Sequence, residues 1–301
     1  MSANLETHRV QQFATTVELL LQQKGSKLAN FVTRGSYVGK QASPVDQFGA
    51  IEASAVTGRF QPITRTDAST DRRWVFPSDF DVMQQIDTFD RLRTINDPKG
   101  LYVQNALYAM GRKMDDVIIA AATGDAKTGE SAGTTTTFST TATTSGGNRV
   151  AVDFGASGNV GLTVFKLREA KMRLMANQVD LDNDQLICVI SAKQHDDLLA
   201  QVQVISSDFN GHERPVLMDG KVSRFLGIDF VHSERLATTS SHRRCLIFAK
   251  SGMHLGQWNG FTSDVSQRKD IKGLPWQCYL YATFGATRLE EKKVFEILCA
   301  E

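Results

Sequence analysis

The sequence predicts an α+β fold, and three stretches carry that prediction. Residues 97–123 read as one long amphipathic helix, because Val103, Leu107, Met110, Met114, Val117 and Ala121 recur at steps of three and four and share one stripe. Residues 45–90 hold two β-forming runs around a polar middle, the pattern of a long hairpin. From residue 162 onward helix and strand signals alternate, and three strand-like runs close the chain. The helix has its own start and stop signals: Asp97 as N-cap, Pro98 in the first turn and Gly124 just past the end. At about 1.5 Å per residue it is about 39 Å long, enough to cross a domain as a strut.

Composition bounds the class. A chain of 301 residues with a net charge of +1 reads as a soluble globular protein of about two domains. No apolar run is long enough to span a membrane, and residues 1–10 lack the apolar run of a signal peptide, so a cytosolic product without an anchor is expected. Cys188, Cys245, Cys278 and Cys299 are far apart in sequence and lie in apolar, strand-like settings, which points to buried free thiols. Balanced charge argues against a protein whose main task is gripping nucleic acid. Residues 1–40 are mildly basic, with Arg9, Lys24, Lys27, Arg34 and Lys40 against Glu6 and Glu18, and a solvated surface explains that equally well.

Taken in order, Phe13, Val17, Leu20 and Leu21 fall on one side of a helix over residues 5–23, closed by Gly25. Gly35, Gly39, Ser43 and Pro44 then make an extended arm. In the hairpin, residues 47–57 and 72–86 form the arms and residues 58–71 the irregular tip. Even spacing places Trp74, Phe76, Phe80, Val82 and Ile86 on one face of the second arm, with Arg73, Val75 and Asp79 on the other. A two-stranded ribbon is marginal alone, so this one needs a surface from its own body or from another subunit. The threonine-rich residues 128–145 read either as a second hairpin or as a loop. Thr163 caps a helix carrying Phe165, Leu167, Ala170, Leu174 and Met175, residues 185–190 form a buried strand, and Ser191 with Gln194 makes a capping box. Residues 228–232 and 245–249 read as strands, as do residues 262–269, 276–285 and 293–299.

The motifs for chemistry fail on inspection. Gly124 and Gly129 have the spacing of a phosphate-binding loop, but Glu130 stands where the lysine belongs and the segment follows a helix. The six histidines show no metal-ligand spacing, no G-x-S-x-G elbow is present, and the acidic turn at Asp180, Asp182 and Asp184 lacks the glycine of a calcium loop. The chain offers no catalytic residues and calls for no cofactor or metal. Its residues go instead into parts that reach outward, as in an assembly protein.

In that order of elements the chain resembles the major capsid proteins of tailed bacteriophages, with the Hong Kong 97 fold. Residues 1–44 resemble the N-terminal arm and residues 45–90 the E-loop hairpin. Residues 91–160 match a peripheral domain holding the spine helix at 98–123, residues 161–260 the axial domain, and residues 261–301, ending in GATRLEEKKVFEILC, the return strands of the peripheral domain. The resemblance implies a non-enzymatic shell subunit that forms hexamers and pentamers around double-stranded DNA held by non-specific contact. It implies a separate scaffolding protein and a portal, no membrane partner, assembly in the host cytoplasm and residence in the virion. An encapsulin-like nanocompartment shell fits the same elements, and an α+β enzyme would need a pocket with convergent polar groups. For the inter-subunit surface the expected residues are Arg59, Arg65, Arg72 and Arg73 around the hairpin tip, pairing with Glu290 and Glu291 of a neighbour, and Trp74 and Phe76 as aromatic anchors.

Overall fold

The computed structural model describes residues 22–59, 65–86, 99–141, 147–201 and 220–301. Most of the predicted leading helix, the Asp97–Pro98 start signal and part of the hairpin tip lie outside the described residues. The strands are β1 (Thr33–Ser36), β2 (Ala42–Phe48), β3 (Thr70–Val75) and β4 (Ser78–Ile86), followed by helix α1 (Lys99–Thr123). Next come β5 (Ala126–Thr128), β6 (Thr134–Thr136), β7 (Arg149–Val150), α2 (Val164–Ala176), β8 (Leu186–Ile190) and α3 (Ala192–Leu199). The chain ends with β9 (Arg224–Phe225), β10 (Ile228–His232), β11 (Thr238–Thr239), β12 (His242–Ala249), β13 (Met253–Gln267), β14 (Trp276–Arg288) and β15 (Val294–Ala300). The threonine-rich stretch begins as a hairpin, with Ala126 paired to Thr136.

The chain divides into two compact units. One comprises Met1–Gly25, Phe80–Arg112 and Phe261–Ala282; the other comprises Ser26–Asp79, Lys113–Gly260 and Thr283–Glu301. In the first, Arg112 donates to Gln22 Oε1 at 2.7 Å and Gln22 donates to Asn105 at 3.1 Å, and Arg268 pairs with Asp270 across a turn. The second holds a large sheet in the order β7-β15-β12-β8-β10-β9 and a smaller one in the order β2-β3-β5-β6. Strand β8 is buried at every position, and β15 runs antiparallel to β12 in the middle of the large sheet. Cys188, Cys245 and Cys299 lie within this sheet, and all four cysteines are buried and free.

Caps start α2 and α3 as the sequence predicts: the Thr163 side chain accepts from the Lys166 amide, and Ser191 with Gln194 closes a capping box. Along α1 the buried residues include Ala106, Met110, Met114, Ile118 and Ala122, with Gly111, Asp115 and Ile119 beside them, whereas Val103, Leu107, Val117 and Ala121 are only half-buried. Steps of four advance about 40° around a helix each time, so the buried line winds around α1 and leaves the straight stripe the spacing predicts. Gly124 has no left-handed backbone; a Cβ there would come within 2.7 Å of the Ala120 carbonyl oxygen, so close approach is what requires glycine. Asp115, fully buried on α1, accepts from Ser26 Oγ at 2.5 Å and from the amides of Lys27 and Leu28 at 3.0 and 3.1 Å, fixing the segment that leads into β1.

Strand β1 runs parallel to β13, and His254 locks the pair. Thr33 Oγ1 donates to Met253 O at 2.7 Å, so at 3.0 Å it accepts from His254 Nδ1, and Nε2 accepts from the Tyr37 hydroxyl at 2.9 Å. That arrangement demands a neutral ring, and burial pulls the His254 pKa down to about 4. The unfolded chain therefore binds the extra proton between about pH 6.5 and pH 4, and stability present above pH 6.5 is lost as pH falls through that window, by up to about 3 kcal/mol. Urea midpoints measured across these pH values are expected to fall less steeply for His254→Gln than for the natural chain; parallel curves would remove this role.

Candidate inter-subunit surface

The base of the hairpin is built from β2 and β3, whose register sets Asp46 opposite Arg72 and Gln47 opposite Asp71. Arg72 grips the Asp46 carboxylate with two bonds of 2.5 and 3.0 Å, a bidentate pair that holds the Asp46 pKa below the usual carboxylate range. Its guanidinium also sits 5.7 Å from the centroid of the Trp74 ring. Trp74 is half-buried and donates from Nε1 to Gly129 O at 2.7 Å, while Asp71 accepts from the Gly129 amide at 2.9 Å. The hairpin is thus stitched to the turn between β5 and β6.

On the other face of β3 the structure departs from the sequence reading. Trp74 and Phe76 do alternate with Arg73 and Val75, but Arg73 and Val75 are buried, Trp74 is half-buried and Phe76 is exposed, so Arg73 faces inward instead of toward a neighbour, while Phe80, Val82 and Ile86 share the more protected face of β4. Phe76 and Pro77 interrupt the strand, and proline cannot donate to a ladder, so β3 and β4 end in different sheets with independent faces. Arg73, 4% exposed, pairs at 2.5 Å with Glu291 of its own chain and donates to Gln47 at 3.2 Å. Glu291 also faces Arg288 at 3.5 Å. Arg288 is fully buried and donates to Ala122 O at 3.0 Å and Gly124 O at 2.8 Å, with the Phe138 ring 5.2 Å away. Burial lowers the Arg288 pKa, and Glu291 opposes that shift. Glu290 pairs with Lys293 at 3.4 Å. Beside this network a groove of about 890 Å³ opens among Arg34, Tyr37, Arg73, His254, Glu290 and Lys293.

Beyond β2 the chain leaves the body. Phe48, Ile51 and Val56 are 76%, 62% and 85% exposed, and no regular element covers residues 50–57. Arg59 is exposed near the tip, and Arg65 pairs with Asp67 at 2.7 Å in open solvent, a contact of little energetic weight. Phe76 is 39% exposed, and its carbonyl lies where a Cβ on Gly285 would meet it at 2.0 Å, so β14 needs glycine at that crossing. The structure therefore gathers Arg72, Arg73, Trp74 and Glu291 around the hairpin base and leaves Arg59 and Arg65 outward. Sequence reasoning passed over Phe48, Ile51 and Val56; the signal was there, since a β-forming run with one charge, Glu52, is rarely left bare.

A family model described as phage capsid protein matches residues 5–301. Among solved structures, the chain is similar to the capsid of cyanophage P-SCSP1u, at 15% identity and a TM-score of 0.75, with 100% of this chain and 96% of that chain covered. It is also similar to the cyanophage Pam1 capsid, at 14% identity, a TM-score of 0.76 and coverage of 98% and 97%. Mycobacterium phage Che8 matches at 14% identity, a TM-score of 0.71 and coverage of 96% and 97%. At such identities the likeness is one of fold. No curated protein matches the chain.

Arg73→Leu is expected to cost the isolated chain about 1–3 kcal/mol, because it removes the buried Arg73 guanidinium from a half-buried Glu291 carboxylate that keeps only Arg288 beside it, whereas Arg65→Ala stays within about 0.5 kcal/mol. Chemical denaturation of both variants checks this; equal effects would mean that Arg73 has no interior role.

Proposed function

The chain belongs to the phage capsid protein family, and on that premise we propose that it is the subunit of an icosahedral tailed-phage head with the Hong Kong 97 fold, built from hexamers and pentamers around double-stranded DNA. The protein is structural, not catalytic, and a component of the virion. In this reading residues 1–44 are the N-terminal arm, residues 45–90 the E-loop, residues 91–160 a peripheral domain on the spine helix, residues 161–260 the axial domain and residues 261–301 the returning strands. Assembly takes place in the host cytoplasm with a separate scaffolding protein and a portal, and the DNA is held without base-specific contacts.

One observation carries the inter-subunit part of the proposal: the end of β2 and the excursion after it expose Phe48, Ile51 and Val56. An extended segment gains nothing by holding large apolar side chains in water, so a neighbouring copy is the natural cover. Arg59, Arg65 and Phe76 are the remaining outward candidates from the same hairpin, and the exposed edge of Trp74 joins them. Arg73 and Glu291 are occupied with each other and serve the contact indirectly, by fixing the hairpin base. Repeated around closed rings, such contacts add up to a stable container although each is weak.

The combined variant Ile51→Asp with Val56→Asp is expected to keep its unfolding midpoint and lose assembly. Sedimentation velocity with negative-stain imaging reads both: shells or rings for the natural chain, and a species near 33.2 kDa for the variant. A natural chain that stays at that mass whatever its concentration and with scaffolding protein added, or a variant that assembles as well as the natural chain, would refute the proposal.

A further inference from the structure

Helix α2 carries charge on its buried face and apolar side chains on its outer one. Its buried face carries Lys166, Glu169 and Arg173 among Leu167, Ala170 and Leu174, while Phe165, Met172 and Met175 are 54%, 48% and 59% exposed. The buried charges are each satisfied. Lys166 Nζ donates to Val160 O at 2.7 Å and Leu298 O at 2.8 Å, and burial lowers its pKa. Arg173 pairs with Glu169 at 2.7 Å and donates to Arg149 O at 2.9 Å. The orientation of the helix is therefore fixed by strong interior bonds, and the outward apolar stripe cannot turn in. A surface helix normally buries apolar residues and turns its charged ones outward; α2 buries Val164, Leu167, Ala170 and Leu174 in that way but also three charges, and leaves three large apolar side chains outside.

The outward face is also shaped. A groove of about 490 Å³ runs between α2 and the turn that joins β9 to β10, lined by Arg168, Lys171, Met172, Met175, Ala176 and Leu226. Lys171 ties the two walls together by donating to Leu226 O at 2.7 Å. From Phe165 to Met175 the stripe is about 15 Å long, close to three helical turns. Methionines give an adaptable apolar floor, and among the described residues the charged groups lining the groove are two cations, Arg168 and Lys171.

We propose that this face of α2 is the docking site of an amphipathic helix with an acidic flank, belonging to a different protein. Apolar side chains of the partner sit on Met172, Met175 and Leu226, and its carboxylates meet Arg168 and Lys171, the helix-in-groove mode of recognition. Charge complementarity selects the partner: a basic helix of the same shape meets two like charges.

The test uses the full chain in unassembled form and two labelled peptides, both with leucines at helical spacing, one with glutamates at the remaining positions and one with lysines. Fluorescence anisotropy is expected to show the glutamate peptide binding at least about tenfold more tightly. Arg168→Glu should abolish or reverse that preference, and Met172→Gln should weaken binding of the acidic peptide with an unchanged circular dichroism spectrum. Equal binding of both peptides, binding of neither, or indifference to Arg168→Glu would overturn the proposal. So would a photo-crosslinker at position 175 that, in assembled particles, captures a second copy of this chain, since the face would then be a contact between copies.

Discussion

The hairpin base depends on one buried cation. Arg288 has no solvent to stabilise it, so its charge must be met by the chain: the carbonyls of Ala122 and Gly124 at the end of α1, the Phe138 ring and the Glu291 carboxylate. A helix C-terminus carries partial negative charge on its unpaired carbonyls, and a guanidinium with several donors is well suited to them. Since an unpaired buried charge costs several kcal/mol, the end of α1, the turn beyond it and strand β14 are held together or lost together. Glu291 extends the constraint, because Arg73 takes its second side and Gln47 takes Arg73. Strands β2 and β3 thus begin from a point fixed by groups more than two hundred residues away in sequence.

That separation explains what the sequence could and could not reveal. The long helix, the caps at Thr163 and Ser191 and most strands are written in local patterns, because spacing and capping act within a few residues. Arg73 could not be assigned to the interior in that way. Alternation along β3 is real, but which face is inside depends on Glu291, a residue the local pattern does not contain. The same holds for α2, where the apolar periodicity was legible for Leu167, Ala170 and Leu174 and misleading for Phe165 and Met175. Lys166 and Arg173 point inward only because backbone carbonyls at Val160, Leu298 and Arg149 wait for them. At the candidate surface the hairpin was legible as a unit, and the weakly charged run that holds Phe48, Ile51 and Val56 was a signal of outward apolar residues, but how far each is exposed is a property of the folded chain.

Interior charge and exterior apolar surface are two sides of one arrangement. A flexible chain would fold Phe48, Ile51 and Val56 back onto its own body, because burial of apolar area is favourable wherever it is found. Rigid polar anchoring prevents this at the base: Arg72 with Asp46, Trp74 with Gly129 and Arg73 with Glu291 fix the direction in which the hairpin leaves. Helix α2 follows the same rule with Lys166 and Arg173.

The energetic scale suits such a division. Covering one large apolar side chain gains about 2 kcal/mol, and association first costs several kcal/mol of lost freedom, so a few exposed side chains do not hold two free copies together. Within a closed ring each added contact forms at high effective concentration, and the same small gain is repeated at every interface. Strong, directional bonds therefore belong inside the chain, where they set shape, and weak, non-directional contacts belong between chains, where they must form reversibly enough for errors of assembly to be undone.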